Sequence, residues 1–479
     1  MMDSIPGPTT RTLPITVPCL PSLLSCALAL LAASAATWAR FVAEGSLRLV
    51  PNSLASLLAQ AVVGVALLGV GLAALHWFER TEQHDVTSVQ RGGLLLQLCA
   101  LPALALTSSD LFSNLAYAAL SAMGKNPCLW GPSALGHGPV LALVSPRWAD
   151  APSAYGPILN LLGWLVGHIG RLLGSPLWGA GAAYKLLMAA ATAGAIACAA
   201  KTARALGTKV AAQGLAVVAL SPLLAWELTA QGHNDAVMVC ALCAFAWAAA
   251  RGKDGLGALA LGVGVLAKAG IAPLLLLWLV VMGRRSPRHA LGWAAALAVL
   301  AVLAWAPFWA GWETLRGVGA TAGADLERHT NSLQDLLNLI LVPVWPAMKA
   351  PLFRSFQIAS FAILAVGTLW AVVKVRDAAD LARAGILIFL GYFLTTPWFQ
   401  PWYATWLLPL CLLERDPRWQ RLVARYAVIS VVQYAVPLDP YTTVIGNLWI
   451  AQQGWRLWRA PESETPRQLD GHRGAIGSA

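Results

Sequence analysis

Charge is what this sequence has least of. Only 11% of its 479 residues are Asp, Glu, Lys or Arg, less than half of the roughly 25% usual in a soluble domain. That scarcity excludes a large soluble enzyme. An unfolded, solvated chain is excluded by the opposite excess, since 58% of the residues are hydrophobic. The motif-bearing stretches contain no phosphate loop and no dinucleotide fingerprint, so nothing points to a nucleotide as energy source. Eight cysteines stand at unrelated spacings and offer no disulfide framework. Cys240 and Cys243 form a C-x-x-C inside an apolar run and read as core cysteines. No second His or Cys cluster has metal-ligand spacing, so no cofactor is assigned and a divalent metal is left open.

What the chain does have is apolar length. Mean hydropathy is +0.63, and runs such as 53–78 and 291–309 reach the roughly 20 residues that a spanning helix needs. The alternating pattern of an outer-membrane barrel is absent. The expected fold is all-α and polytopic. Spans are placed near 21–39, 55–77, 93–107, 176–199, 211–226, 236–250, 256–267, 270–282, 291–309, 355–373, 383–396, 402–413 and 422–436, about 13 in all, with 12–14 as the range. Residues 1–20 read as a cytoplasmic tail, 21–452 as one transmembrane domain and 453–479 as a polar C-terminal tail.

The net charge of +11 belongs to loops, not to a nucleic-acid surface. With the N-terminus inside, the cytoplasmic loops carry 17 Lys and Arg against 10 on the opposite side, as the positive-inside rule requires. This orientation gathers the unusual stretches on the extracytoplasmic face: the long loop 108–175, the turn 231–235, the segment around Lys268, the segment 310–354, and 397–403. Segment 156–173 is apolar on one side with His168 and Arg171 on another, and is expected to lie along the membrane as an interfacial helix.

Five places in these stretches carry candidate chemistry. Asp110, in TSSDLFSNLAYAAL, is either a helix cap or a carboxylate placed to take a proton from a hydroxyl. His233, Asn234 and Asp235 form GHNDA between two apolar helices, where three polar groups are expensive. Lys268 interrupts an apolar run and either snorkels or meets an anion such as a lipid phosphate. Lys185 raises the same question. Residues 395–409, TTPWFQPWYATWLLP, form either an aromatic belt or a platform on which Trp398 and Trp402 pack against sugar or prenyl chains while Gln400 and Tyr403 supply hydrogen bonds.

Together these motifs resemble a known family. Asp110-Leu111-Phe112-Ser113, then Gly124-Lys125-Asn126-Pro127, then WGPSALGHGPVLALVSPRWADAPSAYGP (130–157) resemble the first extracytoplasmic loop of polyprenol-phosphate-mannose-dependent α-1,6-mannosyltransferases of the GT-C class. GHNDA, the Lys268 segment and PWFQPWY (397–403) resemble later landmarks, and Cys128 stands where that family often has Tyr. The resemblance implies a GT-C-like bundle in a bacterial inner membrane, with its active site on the extracytoplasmic face. It implies inverting transfer of a sugar, mannose by analogy, from a polyprenyl-phosphate donor to a glycan or glycolipid hydroxyl. It casts Asp110 as base and Lys268, His233, Asn234, Asp235 and Lys185 as donor-binding residues. Tyr155, Trp398, Gln400, Trp402 and Tyr403 are then the aromatic acceptor platform. A different sugar or acceptor, or a lipid or solute transporter, is the competing reading. A transporter is expected to show inverted repeats, and none stands out.

Overall fold

The structure is a computed structural model that describes residues 20–48, 53–317, 330–436 and 440–460. It is 80% helical and, among the described residues, has no strands; one isolated parallel bridge joins Thr330 to Trp398. The expected tails 1–20 and 453–479 lie mostly outside the described residues. Among the described residues, six helices are long and apolar enough to cross a membrane: Ser22–Glu44, Leu54–Arg80, Trp178–Leu206, Pro287–Phe308, Pro346–Lys374 and Ala378–Thr395. A seventh appears if the pair Lys209–Ala219 and Leu224–Ala230, bent by 46°, counts as one span. That agrees with a multi-pass membrane protein and falls short of the expected 13.

The shortfall has a physical cause. Several expected spans are broken or short. Helices of 11–16 residues, such as Lys209–Ala219, Asp235–Ala250, Asp254–Ala267 and Ala272–Arg285, are about 16–24 Å long at 1.5 Å per residue, below the ~30 Å hydrocarbon thickness. Segment 93–107 is helical only to Ala100. Segment 402–413 is two short 3-10 helices, Pro401–Trp406 and Leu408–Leu412; Pro409 lacks the N–H that one α-helix running through both would need.

The helices that position the site are named here in chain order: α1 (Val86–Ala100), α2 (Asp110–Ala122), α3 (Pro157–Leu172), α4 (Trp178–Leu206), α5 (Lys209–Ala219), α6 (Asp235–Ala250), α7 (Asp254–Ala267) and α8 (Ala272–Arg285). Gly207 ends α4 in the left-handed conformation, and the Thr208 hydroxyl then caps α5 by accepting from Ala211 N at 3.1 Å. α4 packs along α6, α6 along α7, and α2 along α3. α3 is the expected interfacial segment; its buried face lies on α2, and Arg171 at its end donates to the Ala122 carbonyl that ends α2. Between α5 and α6 the chain forms a seven-residue π-helix, Leu224–Ala230. Such wide turns occur mostly at functional sites.

Candidate active site

Three breaks in helical structure converge on one spot. The first follows the π-helix. Gly232 has φ +71°, so the chain folds back and His233 N donates to the Glu227 carbonyl at 3.0 Å. That turn buries Gln231, His233, Asn234 and Asp235. The second break is at Lys268, which is extended between the end of α7 and a short 3-10 turn leading into α8. Pro273 sits in the first turn of α8. The third is the 3-10 helix Pro401–Trp406.

Asp110 opens α2. Its side chain caps nothing: the Ser108 hydroxyl accepts from Asp110 N at 3.1 Å instead. The carboxylate lies at a helix N-terminus, where negative charge is favoured. The His233 ring lies beside it, with Nδ1 3.7 Å from Oδ2. The other imidazole nitrogen, Nε2, is 3.2 Å from Oε2 of Glu227. The ring stacks on Trp402 with centroids 3.7 Å apart and planes 24° apart.

Asp235 is treated differently. Its Oδ2 takes Lys268 Nζ at 2.5 Å and its Oδ1 accepts from the Trp406 indole at 2.7 Å. Asp235 is fully buried, whereas the Lys268 side chain keeps 15% exposure and lies over the Tyr155 ring at 5.6 Å. Asn234 donates to Asn114 Oδ1 at 3.2 Å and lies beside the hydroxyls of Tyr155 and Tyr184. Asn114 in turn donates to the Asp110 carbonyl at 2.9 Å. Asp110, Asn114, Tyr117 and Ser121 follow one another at helical spacing on one face of α2. The last three line a small cavity with Tyr155, Asn160 and Tyr184.

The breaks expose backbone groups that a membrane interior cannot satisfy, and side chains meet them. Gln231 Oε1 accepts from Leu106 N at 2.9 Å and from Thr107 N at 3.1 Å. Lys185 donates to the carbonyls of Leu101, at 2.8 Å, and Ala103. Its ammonium therefore serves the broken end of α1, although its stem passes beside Gly232.

Of the aromatic residues singled out in the sequence, Tyr155 and Trp402 reach the site. Tyr403 lies in a packed cluster with Phe399, Trp402 and Trp406. Trp398 meets Trp148 of loop 108–175 edge-on at 5.5 Å. Gln400 precedes the 3-10 helix and its carbonyl accepts from Tyr403 N at 3.0 Å. Glu227 was not singled out. It is fully buried at the centre of the π-helix, and its Oε1 accepts from Tyr434 Oη at 2.5 Å. The signal was available: a lone carboxylate inside the apolar run 222–230.

Burial pushes the Asp110 carboxyl above its ordinary value; His233 and Lys268 pull it partly back, while Asp235 and Glu227 push the same way as burial. The side chain is nevertheless 29% exposed. Both facts fit a carboxylate that faces a narrow recess deep in the protein. Among the described residues, no group of three or more His, Cys, Asp or Glu side chains is arranged to hold a metal. The arrangement offers one accessible carboxylate, one ammonium beside it and an aromatic floor, which suits proton removal next to an anionic leaving group.

A family model matches residues 19–285, more than half of the chain: the MptA_B family, described as alpha-(1->6)-mannopyranosyltransferase, N-terminal domain. No curated protein and no solved structure matches the chain.

Proposed function

The chain belongs to the alpha-(1->6)-mannopyranosyltransferase family, and from that premise we propose that it moves mannose from a polyprenyl-phosphate donor to a glycan or glycolipid hydroxyl at the extracytoplasmic face of a bacterial inner membrane. The reaction is a single inverting displacement. The acceptor oxygen attacks the anomeric carbon, and Asp110 takes the hydroxyl proton. The bond from that carbon to the phosphate oxygen breaks, with its electron pair leaving on the polyprenyl phosphate. Lys268 stabilises the charge that develops there, as a fixed cation does best in a dry site. Its ammonium has three donors; Asp235 holds one, and the side chain keeps 15% exposure.

One observation carries this reading. Three carboxylates meet here, and Asp110 alone is open to an incoming hydroxyl, with a 29% exposed side chain and neither a lysine nor a hydroxyl hydrogen-bonded to it. Asp235 and Glu227 are fully buried and committed. Tyr155 lies under Lys268 and Trp402 against His233, and Asn234 and Asn114 supply amide groups beside them.

The test is transfer by purified protein in nanodiscs, using radiolabelled polyprenyl-phosphate mannose and a mannan acceptor. Release of polyprenyl phosphate, lost in Asp110→Asn, is the expected result. Near-wild-type release by that variant discards Asp110 as base. Labelled donors with other sugars, run alongside, check that mannose is the sugar transferred.

A further inference from the structure

We propose that His233 is the residue that positions Asp110 and sets its charge, and that Glu227 fixes His233 in the state that does so. The proposal deepens the assignment of Asp110 as base and rests on it. Its foundation is the chain of contacts Asp110, His233, Glu227, Tyr434, with successive distances of 3.7, 3.2 and 2.5 Å.

The geometry restricts the ring severely. His233 is buried, its plane is clamped by Trp402, and its backbone is tied to the π-helix that carries Glu227. A neutral imidazole offers a hydrogen on one nitrogen only; the protonated ring offers two. Here each nitrogen faces a carboxylate, so only the doubly protonated ring is attractive toward both. The face of Trp402 also suits a cation. Glu227 needs such a partner. A fully buried carboxylate is costly unless paired; Glu227 Oε2 and His233 Nε2 approach each other to 3.2 Å, and neither atom has a hydrogen-bond partner among the described residues.

The other groups around this chain do not replace the ring. Lys268 is spent largely on Asp235, its 2.5 Å partner. Tyr155, Tyr184 and Tyr403 face the acidic groups and are neutral donors or acceptors. His233 is therefore the cation that keeps Asp110 ionised against its burial before the acceptor arrives. When Asp110 takes the acceptor proton, it is the group neutralised, and the ring and Glu227 remain a paired unit.

The experiment is the pH dependence of kcat/KM in nanodiscs for the wild type, Glu227→Gln and His233→Gln, with polyprenyl-phosphate mannose as donor. Glu227→Gln removes the anion that holds the imidazolium, so Asp110 loses its cationic neighbour and the acid limb moves to higher pH. A shift of about one pH unit, a tenfold loss on the acid side, is the expected size. His233→Gln gives the same direction, and the double variant shifts no further than the larger single one, as for residues acting as a unit. Donor KM stays within about threefold.

An unmoved acid limb in folded Glu227→Gln overturns the role of Glu227. Should that buried substitution prevent folding, His233→Gln decides alone, and an unmoved limb there overturns the whole proposal. The base assignment fails separately, through Asp110→Asn retaining activity.

Discussion

The helices Pro287–Phe308 and Pro346–Lys374 and the cluster around Asp110 are built on opposite rules. The two helices run 22 and 29 residues, each with a 3-10 turn at one end only, and just 17% of their apolar windows is buried inside the protein. Around Asp110 hardly any helix runs on: a π-helix, an extended lysine and a row of 3-10 turns interrupt the chain within contact distance. In the first region charged side chains stand toward the helix ends, as at Arg288, Lys349, Arg354 and Lys374, whereas in the second Glu227 and Asp235 are sealed inside. Continuous apolar length makes a wall toward lipid. Interruptions make the place where donors, acceptors and charges can be aimed, at the cost of backbone groups that Gln231 and Lys185 must satisfy.

The contrast predicts where substitutions hurt. The largest effect is at Asp110. Asp110→Asn is expected to lower the transfer rate about 10²–10⁴-fold, measured as polyprenyl-phosphate release. Its stability should move the other way. Because burial raises the Asp110 carboxyl in the fold, its ionised form is disfavoured there, so this group supports folding at low pH and that support is lost as pH rises through the folded value. The neutral amide avoids that penalty, and thermal unfolding at neutral pH should be unchanged or later than in the wild type.

Next is Lys268. Lys268→Ala removes a charge-assisted contact and should weaken donor binding by about 1.5–3 kcal/mol in a nanodisc titration. It also strands the buried Asp235 carboxylate, so it should lower thermal stability. Lys268→Ala with Asp235→Asn should recover part of that loss. Unchanged donor affinity in Lys268→Ala would remove the phosphate role.

The pH profile ranks third. With Asp110 raised by burial, kcat/KM should fall on acidification at a pH above the ordinary carboxylate range, and a limb at or below that range would contradict a buried base. The smallest effect belongs to the wall. Val302, exposed on Pro287–Phe308, should tolerate Val302→Ala with stability changed by less than about 0.5 kcal/mol and activity unmoved. A large loss there would erase the distinction between the two regions.

Composition made the helical membrane class legible, and odd residues in apolar runs marked the site. Asp110, His233 and Lys268 stand out because each is polar where the neighbours are not, and the structure brings all three together with Trp402. Span counting failed where chemistry resides. A run such as 211–230 looks continuous by hydropathy, yet it bends at the break that holds Pro222, ahead of the π-helix, and apolarity carries no record of a bend. Glu227 was missed because it sits in no turn or motif. The partner of Lys268 was not foreseen either, since the pairing of residues 33 positions apart is a product of packing between α6 and the end of α7.

One hydrogen bond binds distant parts of the chain into a single moving part. Gly156 N donates to the Ala267 carbonyl at 3.0 Å, and a Cβ on Gly156 would lie 2.0 Å from the Leu266 carbonyl oxygen. The loop that begins at Asp110 is thus riveted, just after Tyr155, to the last turn before Lys268. Tyr155 and Lys268 flank that rivet and cannot drift independently. The chain between α2 and residue 150 is fastened elsewhere, with Asn126 donating to the Phe308 carbonyl at 2.7 Å and Ser153 N to the Pro127 carbonyl at 2.8 Å, so the spacing between ring and ammonium is set by the Gly156 contact rather than by that stretch.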